Sequence, residues 1–121
     1  MIVEGIQAVF FYVGEMDGAV AFYNDVLGLP LLERSPTWSA LDCGGVRVGL
    51  HLAHGDERVG DSGTVVSFRV ADAHDAAARL RAAGVRVGDV SEEPFGLLVQ
   101  LEDPDGNSLR LVQPSTRHGT T

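Results

Sequence analysis

The side chains able to do chemistry are few, and they fall on strand-like runs rather than in one contiguous motif. His51 sits near the end of VRVGLHL, Ser67 and Arg69 lie within TVVSFRV, Gln100 within LLVQLE and Arg110 within SLRLV. Phe10 and Tyr12 share the run VFFYV, and Trp38 opens WSALDC. An imidazole exchanges a proton near neutral pH. A guanidinium holds a carboxylate or stabilises an oxyanion. Aromatic rings wall a pocket for a flat molecule. Cys43 is the only cysteine, so the sequence offers no intrachain disulfide and no thiolate zinc site, and a small buried apolar role suits it. Chemistry follows only if a fold gathers these positions.

Composition narrows the classes. A chain of 121 residues that is 45% apolar and 21% charged is expected to form one soluble globular domain. The formal charge of −8, with scattered arginines as the only basic residues, argues against nucleic-acid binding, which needs clustered cations to neutralise phosphates. No apolar stretch approaches the ~20 residues of a membrane span. Glu4 precedes the first apolar run and no basic segment leads it, so no secretory signal is expected and the cytoplasm is the expected location.

The positioning elements come in two copies. IQAVFFYVGEMDGAVAFYNDVLG, from Ile6 to Gly28, is echoed by TVVSFRVADAHDAAARLRAAG, from Thr64 to Gly84. Val9, Phe11 and Val13 align with Val66, Phe68 and Val70, and the same offset sets Glu15 on Asp72 and Tyr23 on Leu80. Each copy reads as a strand followed by a helix, the first helix running from about Asp17 to Leu27 with Gly28 as its stop. In the second, Asp72 is the N-cap, Asp75 stands at the third helical position, and Ala76, Ala77, Leu80 and Ala83 form the buried stripe. Extended segments follow at Leu31 to Arg34, Trp38 to Cys43 and Val46 to Leu52, with Gly44-Gly45 as a hairpin turn. In the second copy they are Val85 to Val90, Leu97 to Glu102 and Ser108 to Gln113, the last two joined by DPDGN, where Gly106 or Asn107 takes positive φ. The fold class is therefore α+β: two tandem βαβββ modules, about 6–53 and 64–113, forming a curled mixed sheet around a central groove with helices outside. Residues 54–63 read as a linker and 114–121 as a polar tail.

AFYNDVLGL from Ala21 to Leu29, EDPDGNSLRLV from Glu102 to Val112 and the paired openings resemble the vicinal oxygen chelate superfamily, which includes glyoxalase I, bleomycin-resistance proteins and extradiol dioxygenases. In its metal-dependent members, groove-facing strand positions supply the ligands. The resemblance maps these onto Ala8, Val65 and Arg110, none of which carries a suitable donor, and leaves His51 as the one candidate. It thus implies no metal and no other cofactor.

Taking the groove phase from the same positions, the resemblance points Phe10, Tyr12, His51, Ser67, Arg69, Gln100 and Arg110 into the cavity, with Trp38 near its rim. Each has a plainer alternative. Phe10 and Tyr12 also suit a core, His51 a structural histidine, and Arg69 and Arg110 ion pairs with Glu102 or Asp42. Two function classes follow. One is a metal-free binding protein that holds an aromatic or partly anionic small molecule, with antibiotic sequestration as an example. The other is a lyase, isomerase or dioxygenase with His51 as base or metal ligand and Arg110 as oxyanion stabiliser. Resemblance also implies a homodimer, with or without exchanged modules.

Overall fold

The computed structural model describes residue 2, residues 4–60 and residues 64–115. The chain forms two compact units, Met1–Ser62 with Pro104–Gly106, and Gly63–Asp103 with Asn107–Thr121. The short segment Pro104–Gly106 joins the first unit, where the Gly14 N–H donates to Asp105 Oδ1 at 2.8 Å.

In the first unit β1 (Val9–Val13) leads into α1 (Met16–Val20), and β2 (Leu31–Arg34), β3 (Trp38–Cys43) and β4 (Val46–Leu52) follow. The sheet order is β1-β4-β3-β2, with β1 parallel to β4 and the other pairings antiparallel. Glu15 caps α1, its carboxylate accepting from the Asp17 and Gly18 amides, as an acidic side chain at a helix N-terminus should. The expected single helix to Leu27 is corrected here: after Val20 the chain widens into π-helical turns over Ala21–Val26. The Leu27 N–H reaches back to the Phe22 carbonyl, and Gly28 with φ +84 ends the helical run. Phe22 and Tyr23 are both buried, with Tyr23 stacked on Phe11 at 5.6 Å between centroids.

Strand alternation sets the core. Phe11, Val13, Leu41, Val48 and Leu50 are buried on the face toward α1, together with Ser39, whose hydroxyl donates to the Met16 sulfur at 3.3 Å. The opposite face carries Phe10, Tyr12, Trp38, Ala40, Gly49 and His51. Gly44 and Gly45 both take positive φ, at 59° and 93°, and close the β3–β4 hairpin with the turn their lack of a Cβ permits. Cys43, at the end of β3, is half-buried instead of buried.

The second unit repeats the plan with β5 (Val66–Arg69), α2 (Ala73–Ala82), β6 (Ser91–Glu93), β7 (Gly96–Glu102) and β8 (Ser108–Pro114), in the order β5-β8-β7-β6. Asp72 caps α2 through its Oδ1, which accepts from the Asp75 N–H at 3.0 Å. Ala73, Ala77 and Leu80 are the buried stripe, while Ala83 is exposed. Val66, Phe68, Val99, Leu101, Leu109 and Leu111 share the face toward α2. The expected strand over Val85 to Val90 is also corrected: Val87 makes an isolated bridge to Leu101, and the edge strand lies at Ser91–Glu93. Pro114 extends β8 beyond the expected strand end, and the rest of the polar tail from residue 116 lies outside the described residues.

Candidate functional site

Each unit leaves one sheet face turned away from its helix, and the two faces differ in chemistry. On the first, β1 and β4 pair so that Phe10 opposes Gly49 and Tyr12 opposes His51, while β3 sets Trp38 opposite His51 and Ala40 opposite Gly49. Four rings thereby meet. Phe10 lies 5.5 Å from Tyr12, 6.0 Å from Trp38 and 5.8 Å from His51 between centroids, and His51 lies 5.4 Å from Tyr12 and 6.1 Å from Trp38. Most of these contacts are edge-on, the arrangement that ring quadrupoles favour.

Gly49 explains why Trp38 can lie across the sheet and not at its edge. A Cβ built there would stand 2.1 Å from the indole Cη2. The indole is tied at its other end, Nε1–H donating to Glu33 Oε1 at 3.0 Å, and Arg47 Nη1 donates to the same oxygen at 3.0 Å. Phe10 remains 47% exposed, so this aromatic face is not a closed core. His51 Nδ1 lies 3.0 Å from the Leu52 carbonyl. A carbonyl only accepts, so Nδ1 carries the proton and Nε2 the lone pair in the neutral ring. The Tyr12 phenol is held above its ordinary pKa of 10.0, first by partial desolvation and then by Glu57, whose carboxylate repels the phenolate and hydrogen-bonds the phenol.

In the second unit Ser67 pairs with Arg110 across β5 and β8, and Arg110 with Gln100 across β8 and β7, so these three share a face, and Arg69 joins them two residues along β5. Arg110 stands in β8 where Gly49 stands in β4, each opposite the equivalent residue of the first strand. The same register position thus holds the longest cationic side chain in one unit and no side chain in the other. Phe95 lies under the Arg110 guanidinium, 5.8 Å from Cζ to ring centroid, within cation–π range. Arg110 Nε is buried with no hydrogen-bond partner among the described residues, and no carboxylate pairs with Arg69 or Arg110 there. The anticipated pairings with Glu102 or Asp42 are therefore absent among these residues.

Two cavities open on this face and meet at Arg110. One of about 330 Å³ is lined by Ser67, Phe68, Arg69, Phe95, Arg110, Val112 and Pro114. The other, about 900 Å³, has Arg86, Gln100, Glu102, Asp103 and Arg110 as its principal polar lining. Sequence reasoning missed Gly49, Glu33, Glu57 and Phe95. Gly49 carried a readable signal, since a glycine inside an alternating strand often marks a close approach. Phe95, within SEEPFG, carried none.

The positions that the resemblance maps onto the superfamily's metal ligands carry no suitable donors. Ala8 is a half-buried methyl just before β1, Val65 is an exposed isopropyl just before β5, and Arg110 is a cation. Among the described residues no three His, Cys, Asp or Glu side chains gather where one ion would touch them. These residues do not fit the metal centre.

Among solved structures the chain resembles TnmS3, an antibiotic binding protein from Streptomyces sp. CB03234, at 28% identity and TM-score 0.74, over 95% of this chain and 99% of that one. A lactoylglutathione lyase from Agrobacterium tumefaciens matches at 24% identity and TM-score 0.73, over 93% and 96% of the two chains. A glyoxylase/bleomycin resistance protein/dioxygenase domain from Frankia sp. EAN1pec matches at 24% and 0.75, over 94% of each. No curated protein sequence matches significantly. The family model that matches spans residues 5–111, nearly the whole chain, and the chain belongs to the Glyoxalase/Bleomycin resistance protein/Dioxygenase superfamily.

Proposed function

We propose that this protein binds a small, flat, aromatic and partly anionic molecule without a metal and withholds it from its target, as a sequestering protein for antibiotic-like compounds. The observation that carries the reading is the four-ring face of Phe10, Tyr12, Trp38 and His51, kept open beside an exposed Phe10 and shaped by the missing side chain at Gly49. Such a surface stacks on a conjugated ring system and gains little from an aliphatic one. On the second unit, the guanidiniums of Arg69 and Arg110, which have no carboxylate partner among the described residues, and the polar groups of Ser67 and Gln100 suit an acidic group. The likeness to an antibiotic binding protein supports the same class.

Trp38 is the only tryptophan, so its fluorescence reports this face directly. Titration against planar aromatic and glycopeptide antibiotics should give saturable quenching by at least one aromatic member. A panel that leaves the emission unchanged removes the reading.

A second reading is catalysis, and His51 favours it: with Nδ1 held by the Leu52 carbonyl, Nε2 is the free lone pair a general base requires. Turnover of a glyoxalase-type or isomerase substrate that His51→Gln abolishes would establish that reading over sequestration. We further assign the protein to the cytoplasm as a homodimer. No described helix is long and apolar enough to cross a membrane, and light scattering of the purified chain tests the pairing.

A further inference from the structure

We propose that the second unit contains its own subsite for an aryl carboxylate, the cavity of about 330 Å³ between Arg69, Arg110 and Phe95. The assignment deepens the small-molecule reading and rests on it for the ligand class, but its residues are separate from the aromatic face.

Three observations converge. The two charged residues lining this cavity are both arginines, in a chain whose formal charge is −8. Two like charges lining one cavity repel each other, and neither has a carboxylate partner among the described residues. Arg110 Nε is buried without an acceptor among the described residues. Buried donors are nearly always satisfied in folded proteins, so this N–H has hydrogen-bonding capacity that a ligand or a water can take up. Among the described residues no acceptor holds the Nε edge of the guanidinium, so it can grip an entering carboxylate with two parallel N–H donors.

The rest of the lining selects the group that bears the charge. Phe95 lies against Arg110, and Val112 and Pro114 supply apolar walls. A volume of about 330 Å³ is at the small end of ligand pockets and suits a single ring. Ser67 adds one hydroxyl, placed opposite Arg110 by the β5–β8 register, for an ortho or meta substituent. The neighbouring 900 Å³ cavity is a poorer anion site, because Glu102 and Asp103 stand in its lining against Arg86 and Arg110. The ligand is therefore expected to present a one-ring carboxylate such as a benzoate or salicylate unit.

The test is a titration of the full chain with benzoate and with benzamide, its neutral isostere, followed by amide and arginine Nε–H nuclear magnetic resonance. Benzoate should shift Arg110 Hε and the amides of Ser67 and Phe95 saturably. Benzamide should bind at least about tenfold more weakly, since a charge-assisted pair is roughly twice as strong as a neutral one. Arg110→Gln should weaken benzoate by about tenfold or more, Arg69→Gln by a smaller factor, and Arg110→Lys should recover only part of the affinity because it loses the fork. The indole N–H of Trp38 monitors folding of each variant independently. Equal binding of benzoate and benzamide, benzoate binding that survives Arg110→Gln in a folded protein, or shifts confined to the Trp38 face would each overturn the subsite. Loss of antibiotic quenching at Trp38 with intact benzoate shifts at Arg110 would overturn the sequestration reading alone.

Discussion

Trp38 lies across Gly49 so closely that a Cβ on the glycine would stand 2.1 Å from the indole Cη2 and 2.7 Å from Cζ3. The atoms in conflict are the far end of one side chain, so the indole can yield without moving the backbone. Gly49→Ala should therefore cost only about 1 kcal/mol of stability, near the low end for overpacking. It should nonetheless change Trp38 emission and weaken ligand quenching severalfold. Urea denaturation alongside the titration separates the two effects, and equal quenching by wild type and variant would show that the indole position does not matter for binding.

The phenol of Tyr12 gives an alkaline signature. Its pKa is raised in the folded protein by partial desolvation and by Glu57. A proton held more tightly in the folded state than in the unfolded one stabilises the fold wherever the unfolded phenol is still protonated, below about pH 10. That stability is lost as pH rises through the folded pKa. Tyr12→Phe should flatten the decline of stability above pH 10, and Glu57→Gln should reduce it; denaturation midpoints at several alkaline pH values measure the slope.

Gly96 is the opposite case to Gly49. It has φ +139, and a Cβ there would stand 2.1 Å from the Gln113 carbonyl oxygen, 2.8 Å from the Ser115 nitrogen and 3.0 Å from the Pro114 carbonyl carbon. All three are backbone atoms, so nothing can swing aside. Gly96→Ala should destabilise the protein by about 3 kcal/mol or more. Because Phe95 is its neighbour, with a carbonyl accepting from the Ser115 N–H at 2.9 Å, benzoate binding should fall too. A thermal midpoint within a few degrees of wild type would contradict this.

Much of the fold was legible because local signals and tertiary needs agreed. Phe11 and Val13 alternate with Phe10 and Tyr12, Asp72 caps its helix, and Gly44-Gly45 closes its hairpin, each for a reason contained in a few residues. Where they disagreed the sequence misled. Val85, Val87 and Val90 have high strand propensity, yet the chain there is held by Gly88 N–H to the Gln100 carbonyl and by Arg81 to the Gly88 carbonyl. Ser91–Glu93 has low propensity and becomes the edge strand because the turn through Pro94 and Phe95 pairs it with β7. The candidate site followed the same division. Phe10, Tyr12 and His51 were readable from strand phase, whereas Phe95 reaches Arg110 through a turn that no periodicity describes.

Asn107 separates two explanations of the DPDGN turn. Either Gly106 or Asn107 was expected to supply the positive φ; Gly106 takes it at +86, and no described residue other than glycine has positive φ. Asn107 instead works through its side chain and amide. Its N–H donates to Asp103 Oδ1 and its Nδ2 to Asp103 Oδ2, both at 2.8 Å, and the Asp103 N–H returns a bond to the Asn107 carbonyl at 3.0 Å. Both residues are buried, at 4% and 5% exposure, so an Asp103 oxygen that loses the Asn107 donor has little water to replace that bond. Asn107→Ala should cost about 1–3 kcal/mol, and Asn107→Gly at least as much. Were a left-handed backbone the reason for asparagine, glycine would be neutral or better at this position. Urea denaturation of the two variants decides between them, and the Asp103→Ala, Asn107→Ala double variant should lose less than the sum of the single losses.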